Sequence, residues 1–205
     1  TRTGPVATEH MVNCRFFAEL APGGWLVNAA RGEILDESAL SLALQHGVVS
    51  RAVLDVWEHE PDLDADLLAS VTLGTPHIAG LSLEGRLNGT LQVYRQLCNF
   101  LEVEPAWNHA GILPSVAQEI VLDCRGLSEE SVLTEAVRRA YDIGADAAAL
   151  RAGPAGGGSW GRHFEALRKG YSSRREFAAH RLRLAHAPPA LLEKAAALGF
   201  ALVNE

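Results

Sequence analysis

The 205-residue sequence is poor in cysteine: it has three, Cys14, Cys98 and Cys124, far apart and odd in number. No CxxC pair and no Cys/His ligand spacing occurs, which excludes a disulfide framework and a zinc site as organising devices. Buried, reduced thiols in a cytoplasmic protein are the expectation. No apolar run approaches the roughly 20 residues that a bilayer-spanning helix needs. Methionine occurs once and not at position 1, and Thr1-Arg2-Thr3-Gly4-Pro5 has no hydrophobic signal region. The natural start is therefore expected upstream. Blocks of like charge are missing too. The net charge is −7, from 18 basic and 25 acidic residues, which argues against nucleic acid or an anionic membrane as partner. A local pocket can still attract an anionic small molecule.

What is present is ordinary for a globular chain, with 48% hydrophobic and 21% charged residues, enough to build a sizeable core. The first half alternates strand-like and helix-like segments. Trp25-Leu26-Val27-Asn28 reads as a buried strand, Asp36 as the N-cap of a helix closed by Gly47, Ala52 to Val56 as a second strand, and Val71-Thr72-Leu73 as a third. Strands separated by helices imply a parallel sheet, with chemistry beyond its carboxyl ends. Glu84 to Leu101 reads as one amphipathic helix. Val103 to Pro114, with two prolines and a glycine, marks a boundary. Beyond it, Ile120-Val121-Leu122, Arg181 to Leu184 and Phe200 to Val203 read as strands. Glu129 to Tyr141, Phe164 to Tyr171 and Pro188 to Leu198 read as helices. That is a compact α+β unit with a split β-α-β arrangement in view. The expected division is 1–102, a linker at 103–114, and 115–205. Gly156-Gly157-Gly158-Ser159-Trp160-Gly161 satisfies GxGxxG, but a dinucleotide fingerprint needs a strand directly before it, and Ala147 to Pro154 reads as helix end and loop. A flexible surface loop is the expectation there.

Three strand-end loops carry the informative side chains: Asn28-Ala29-Ala30-Arg31-Gly32, Asp55-Val56-Trp57-Glu58-His59-Glu60-Pro61 and Thr75-Pro76-His77-Ile78-Ala79-Gly80. Singly, each has a bland reading as surface cation, helix-start acid or loop imidazole. Together, they supply what oxidation of a 2-hydroxyacid requires. An arginine fork grips a carboxylate bidentately without losing its charge. An imidazole moves a proton near neutral pH, and a carboxylate on its far nitrogen fixes the tautomer. The hydride acceptor has to be a cofactor, since no side chain does this.

These three strings resemble the signature segments of the D-isomer-specific 2-hydroxyacid dehydrogenases. The resemblance implies the C-terminal half of a Rossmann-type, parallel-sheet NAD-binding domain, followed by a small α+β dimerisation domain. It implies NAD as cofactor, Arg31 as carboxylate binder, Glu60 as orienting acid and His77 as acid/base. It also implies that Ala29, Ala30, Arg31, Asp55 and Gly80 lie against the nicotinamide half of NAD. The opening Thr1 to Pro5, Gly80 to Arg86 with Gly89-Thr90, Tyr141-Asp142 and Phe164 to Phe177 are similar to one branch of that family. In that branch the substrate is a phosphorylated four-carbon hydroxyacid, and the extra C-terminal domain forms a homodimer.

The sequence departs from the family pattern in two ways. The substrate domain and the glycine loop of the nucleotide domain are absent, so the chain alone is expected to bind NAD weakly and to leave an exposed sheet edge. The position after Gly80, usually Tyr in the family, is Leu81, which cannot donate a hydrogen bond to substrate. The basic pair Arg174 and Arg175 is a candidate for the substrate phosphate, against the reading of a solvated surface pair. Two other readings stay open: another 2-hydroxyacid dehydrogenase acting on glyoxylate, hydroxypyruvate or phosphoglycerate, and a non-catalytic dimerisation module.

Overall fold

The structure is a computed structural model that describes residues 4, 7–108, 111–114, 119–172 and 174–203. Apart from Gly4, the opening Thr1 to Pro5, which carries part of the resemblance, lies outside the described residues. The elements run α1 (Cys14–Ala18), β1 (Gly24–Asn28), α2 (Glu37–Gln45), β2 (Val49–Leu54), α3 (Ala65–Ser70), β3 (Leu73–Gly74) and α4 (Leu83–Phe100). They continue with β4 (Ile120–Asp123), α5 (Glu129–Ala140), α6 (Ile143–Arg151), α7 (Trp160–Lys169), β5 (Arg181–Ala185), α8 (Pro189–Ala197) and β6 (Ala201–Leu202).

The chain forms two compact units, and each is built from two stretches of sequence. The first takes Thr1–Ala79 with Ile143–Tyr171, and the second takes Gly80–Asp142 with Ser172–Glu205. This departs from the linear division at 103–114. Leu150 and Phe164, which lie in the C-terminal portion, are buried in the first unit's core beside Trp57, Leu67 and Leu68. Arg151 seals the attachment by donating Nη2 to the carbonyls of Val71 (2.8 Å) and Thr72 (3.0 Å).

The first unit's sheet has the order β1-β2-β3 and is wholly parallel, as the alternation of strands and helices predicts. Asp36 caps α2 by accepting from the Ala39 amide at 2.9 Å, and Gly47 leaves the helix at φ +69. β2 starts at Val49, before the expected Ala52, because Ser50 extends the pairing: its hydroxyl donates to the carbonyls of Gly23 (2.7 Å) and Gly24 (3.1 Å). β1 is an edge strand on which Trp25 and Val27 are exposed, which corrects the expectation of a buried strand there.

The GxGxxG stretch comes after α6 and begins inside a 3-10 turn at Ala155–Gly157 rather than after a strand, which agrees with its rejection as a nucleotide fingerprint. It is not simply a surface loop, however. Ser159 caps α7, and Gly161 is buried in that helix's first turn.

The second unit's sheet, β4-β5-β6, is also wholly parallel, with strands joined through helices. This corrects the α+β expectation to β-α-β succession, and the sequential strand order leaves no split motif. Its core gathers Ile120, Leu122, Val132, Leu182, Leu184 and Leu191. Part of the expected linker is tied down: the amides of Ala106 and Trp107 donate to the Tyr94 hydroxyl of α4 at 3.0 and 3.1 Å. Cys98 and Cys124 are buried as expected, but Cys14 is exposed, because α1 turns only Phe17 inward. No helix among the described residues is long and apolar enough to cross a membrane.

Candidate active site

The carboxyl ends of β1, β2 and β3 deliver the three informative loops to one end of one sheet. Parallel pairing fixes this arrangement: Asn28 of β1 is level with Leu54 of β2, and Leu54 is level with Gly74 of β3. The Asp55 amide continues the ladder by donating to the Asn28 carbonyl at 2.9 Å.

His77 and Glu60 meet as a pair. Nδ1 of His77 lies 2.8 Å from Oε2 of Glu60, and the two side chains are 26% and 21% exposed. The other oxygen of Glu60 accepts from the Trp57 amide at 2.8 Å, so the carboxylate is held at both ends. With Nδ1–H donated to the carboxylate, Nε2 is the nitrogen left to exchange a proton.

Asp55 shapes the backbone beneath this pair. Its buried carboxylate accepts from the Thr75 hydroxyl (2.6 Å) and the Ile78 amide (2.9 Å) through Oδ1, and from the Ala79 amide (2.9 Å) through Oδ2. The His77 amide donates to the Asp55 carbonyl at 2.8 Å. These bonds hold His77 at φ +55, a left-handed conformation that a non-glycine residue keeps only when its surroundings fix it. Both Asp55 oxygens are thus committed inside the protein, and this residue clasps the His77 loop.

Arg31 stands exposed after β1, its Nη1 donating to the carbonyl of Ala30 at 2.7 Å. Ala29 and Ala30 are exposed beside it, and the Ala30 amide donates to Oδ1 of Asn28 at 3.1 Å. Gly32 presses this loop onto the next one: a Cβ there would lie 1.9 Å from the Trp57 carbonyl oxygen. Gly80 and Leu81 open the second unit, the former exposed and the latter half-buried.

Arg174 and Arg175 are not a solvated pair. Arg175 donates Nε to Glu84 at 2.5 Å and Nη1 to the Pro114 carbonyl, and the Arg174 guanidinium lies 5.2 Å over the Tyr141 ring. Burial pushes the Glu84 carboxyl up, but the bonds from Arg175 and the Glu176 amide outweigh it and hold the group below its ordinary value.

Several supports had no local signal. The Glu58 amide donates to Oε1 of Glu37 at 2.8 Å, and the Glu37 amide donates to Oε2 of Glu58 at 3.2 Å. Burial pushes the Glu37 carboxyl up. His10 closes the chain on Glu58, a bond that raises its imidazole above the ordinary value. Trp57 donates Nε1 to the Thr75 carbonyl at 3.0 Å, bridging the second loop to the third.

Comparison with known proteins shows what the chain resembles. Residues 5–79 match the family model described as D-isomer specific 2-hydroxyacid dehydrogenase, NAD binding domain, and residues 113–199 match one described as a domain of unknown function. An erythronate-4-phosphate dehydrogenase from Cellvibrio japonicus is 39% identical across 98% of this chain and 54% of its own length. One from Pseudomonas putida is 40% identical across 98% and 53%. The chain thus spans about half the length of the curated relatives it matches. A solved glyoxylate reductase from Paecilomyes thermophila is 32% identical, covering 49% of this chain and 31% of its own, with a TM-score of 0.42. The cofactor class expected from the sequence is the one named for the matched domain. Along nearly its whole length the chain is similar to erythronate-4-phosphate dehydrogenases, and its residues 5–79 match the NAD-binding domain of the D-isomer specific 2-hydroxyacid dehydrogenases.

Proposed function

We propose that the full-length protein oxidises the C2 hydroxyl of 4-phospho-D-erythronate to the 2-oxo acid, with NAD as acceptor, as a step in pyridoxal phosphate synthesis. The observation that carries this reading is the His77–Glu60 pair, 2.8 Å apart at the carboxyl end of a parallel sheet in a domain of the NAD-binding type. The protein is a homodimer through its C-terminal portion and works in the cytoplasm.

Ala29 and Ala30 fit a flat nicotinamide ring, since these two exposed positions carry only methyl groups. NAD, when bound, supplies the hydride acceptor that no side chain can replace. Arg31 grips the substrate carboxylate and turns C2 towards the ring. Nε2 of His77 would take the hydroxyl proton of the substrate. Glu60 stabilises the resulting imidazolium and keeps the ring from turning over. Ala29 and Ala30 line the cofactor side.

The test compares oxidation rates on 4-phospho-D-erythronate with those on glycerate, phosphoglycerate and lactate in the full-length gene product. A strong preference for the phosphorylated four-carbon acid supports the assignment. Preference for a simpler acid moves the protein to another branch of the family. Absence of turnover on all of them leaves the dimerisation module as the better account.

A further inference from the structure

The second matched segment has no assigned function, yet one part of it is built into the first unit. We infer that the α6–α7 hairpin is a positioning element for the His77–Glu60 pair, acting through the contact of Gly161 with Pro61 and Asp62. The inference rests on the acid/base role proposed for that pair.

Four observations carry it. First, a Cβ on Gly161 would lie 2.6 Å from Oδ1 of Asp62 and 3.3 Å from Cγ of Pro61, so the first turn of α7 lies directly on the segment following Glu60. Second, that segment is a closed turn, because the Asp62 amide donates to the His59 carbonyl at 2.9 Å. Pressure on Asp62 therefore passes to Glu60 rather than dissipating along a slack loop. Third, Asp62 brings a carboxylate to the amino end of α7, whose first turn has no acidic residue of its own. That end of a helix favours negative charge, so the contact is attractive as well as close. Fourth, the hairpin cannot drift: Leu150 and Phe164 are buried in the core, and Arg151 is bonded to the chain entering β3.

Glu60 is left between two fixed bodies. Its carboxylate is tied to the Trp57 amide and to His77, and the chain after it is braced by α7. Moving the brace moves the carboxylate relative to the imidazole. Gly161 and Asp62 touch no reacting atom in this scheme. They act by placing Glu60.

The test uses the full-length gene product and the variants Gly161→Ala, Asp62→Ala and Asp62→Asn. Two readouts are followed: kcat against KM for NAD, and the low-field ring-proton resonance of His77, assigned by its loss in His77→Asn. Gly161→Ala should lower kcat about tenfold, within what a misplacement of an ångström or less can do, while KM for NAD stays within about twofold. Its His77 resonance should weaken or vanish. Asp62→Ala should act in the same direction and more mildly, and Asp62→Asn, which keeps the contact but not the charge, should fall between Asp62→Ala and wild type. If Gly161→Ala does not fold, Asp62→Ala decides by the same readouts. Lower thermal stability with kcat and resonance unchanged would overturn the inference and leave the hairpin as packing only. If the wild-type protein oxidises no hydroxyacid, the functional reading fails separately. The resonance still decides: its loss in Gly161→Ala upholds the brace, and its persistence overturns it.

Discussion

Oε2 of Glu60 stands 2.8 Å from Nδ1 of His77, although the two residues come from loops after different strands. The pairing requires β2 and β3 to be in register, the turn from Trp57 to Glu60 to be closed, and His77 to hold its left-handed backbone. The side chains that enforce those conditions matter as much as the pair itself.

Glu60→Gln keeps the shape of the side chain and withdraws its charge, so the imidazolium is no longer stabilised and the tautomer is no longer fixed. On the proposed reading, kcat of the full-length protein should fall by on the order of 10²–10⁴. His77→Gln should fall by a similar factor, and the double variant should be little worse than either single one, because the two act as a unit. A kinetic double-mutant cycle checks this.

Asp55→Ala strands three donors, the Thr75 hydroxyl and the Ile78 and Ala79 amides. The Thr75 and Ile78 donors are buried and each costs about 1–3 kcal/mol when unsatisfied, whereas Ala79 is exposed and its amide can turn to water, so the variant should lose about 2 kcal/mol or more. Thr75→Val removes one donor and should lose about 1 kcal/mol. Urea unfolding of the chain measures both.

Gly32 has no room for a methyl group, since the added Cβ would fall 1.9 Å from one backbone atom of Trp57 and 2.1 Å from the next. Backbone cannot step aside as a flexible side chain can. Gly32→Ala should cost about 3 kcal/mol or more, the upper end of overpacking effects. Its melting temperature, or its failure to accumulate as folded protein, gives the readout.

His180 is buried in the second unit, and its Nε2 has no hydrogen-bond partner among the described residues. Burial, followed by the nearby Arg175 cation, pushes the imidazole below its ordinary value, with Glu84 pulling more weakly the other way. The folded value is the lower one, so on acidification the unfolded chain takes the proton first. The stabilising contribution is complete above about pH 6.5, the ordinary imidazole value, and is lost as pH falls through the folded value. Thermal unfolding compared at about pH 7.5 and about pH 5.5 should show a drop that His180→Leu reduces.

The parallel sheet of the first unit was legible because its signals are local. Asp36 before a helical apolar pattern, Gly47 after it, and apolar runs at Trp25 and Ala52 each speak within a few residues. The candidate site was legible for a related reason: strand ends are where such folds place chemistry, and Arg31, Glu60 and His77 all follow strands. What was hidden depends on distant partners. Nothing near Asp55 says that its carboxylate will collect donors from Thr75, Ile78 and Ala79. Nothing near Phe164 says which core it will enter, because an amphipathic helix announces an apolar face and not its destination. The partner of Arg175 was hidden in the same way, because the acid that engages it, Glu84, is 91 residues away.

The interleaved chain path has a consequence for how the protein is made. The first unit gains Leu150 and Phe164 only after the whole stretch from Gly80 to Asp142 has been synthesised. At translation rates of about 5–20 residues per second, the nascent chain carries Trp57, Leu67 and Leu68 without those core partners for several seconds or longer. During that interval the half-built sheet is a natural client for chaperones. The loops of the candidate site reach their final geometry late in synthesis, so a prematurely released polypeptide offers an adhesive apolar surface in place of a finished fold.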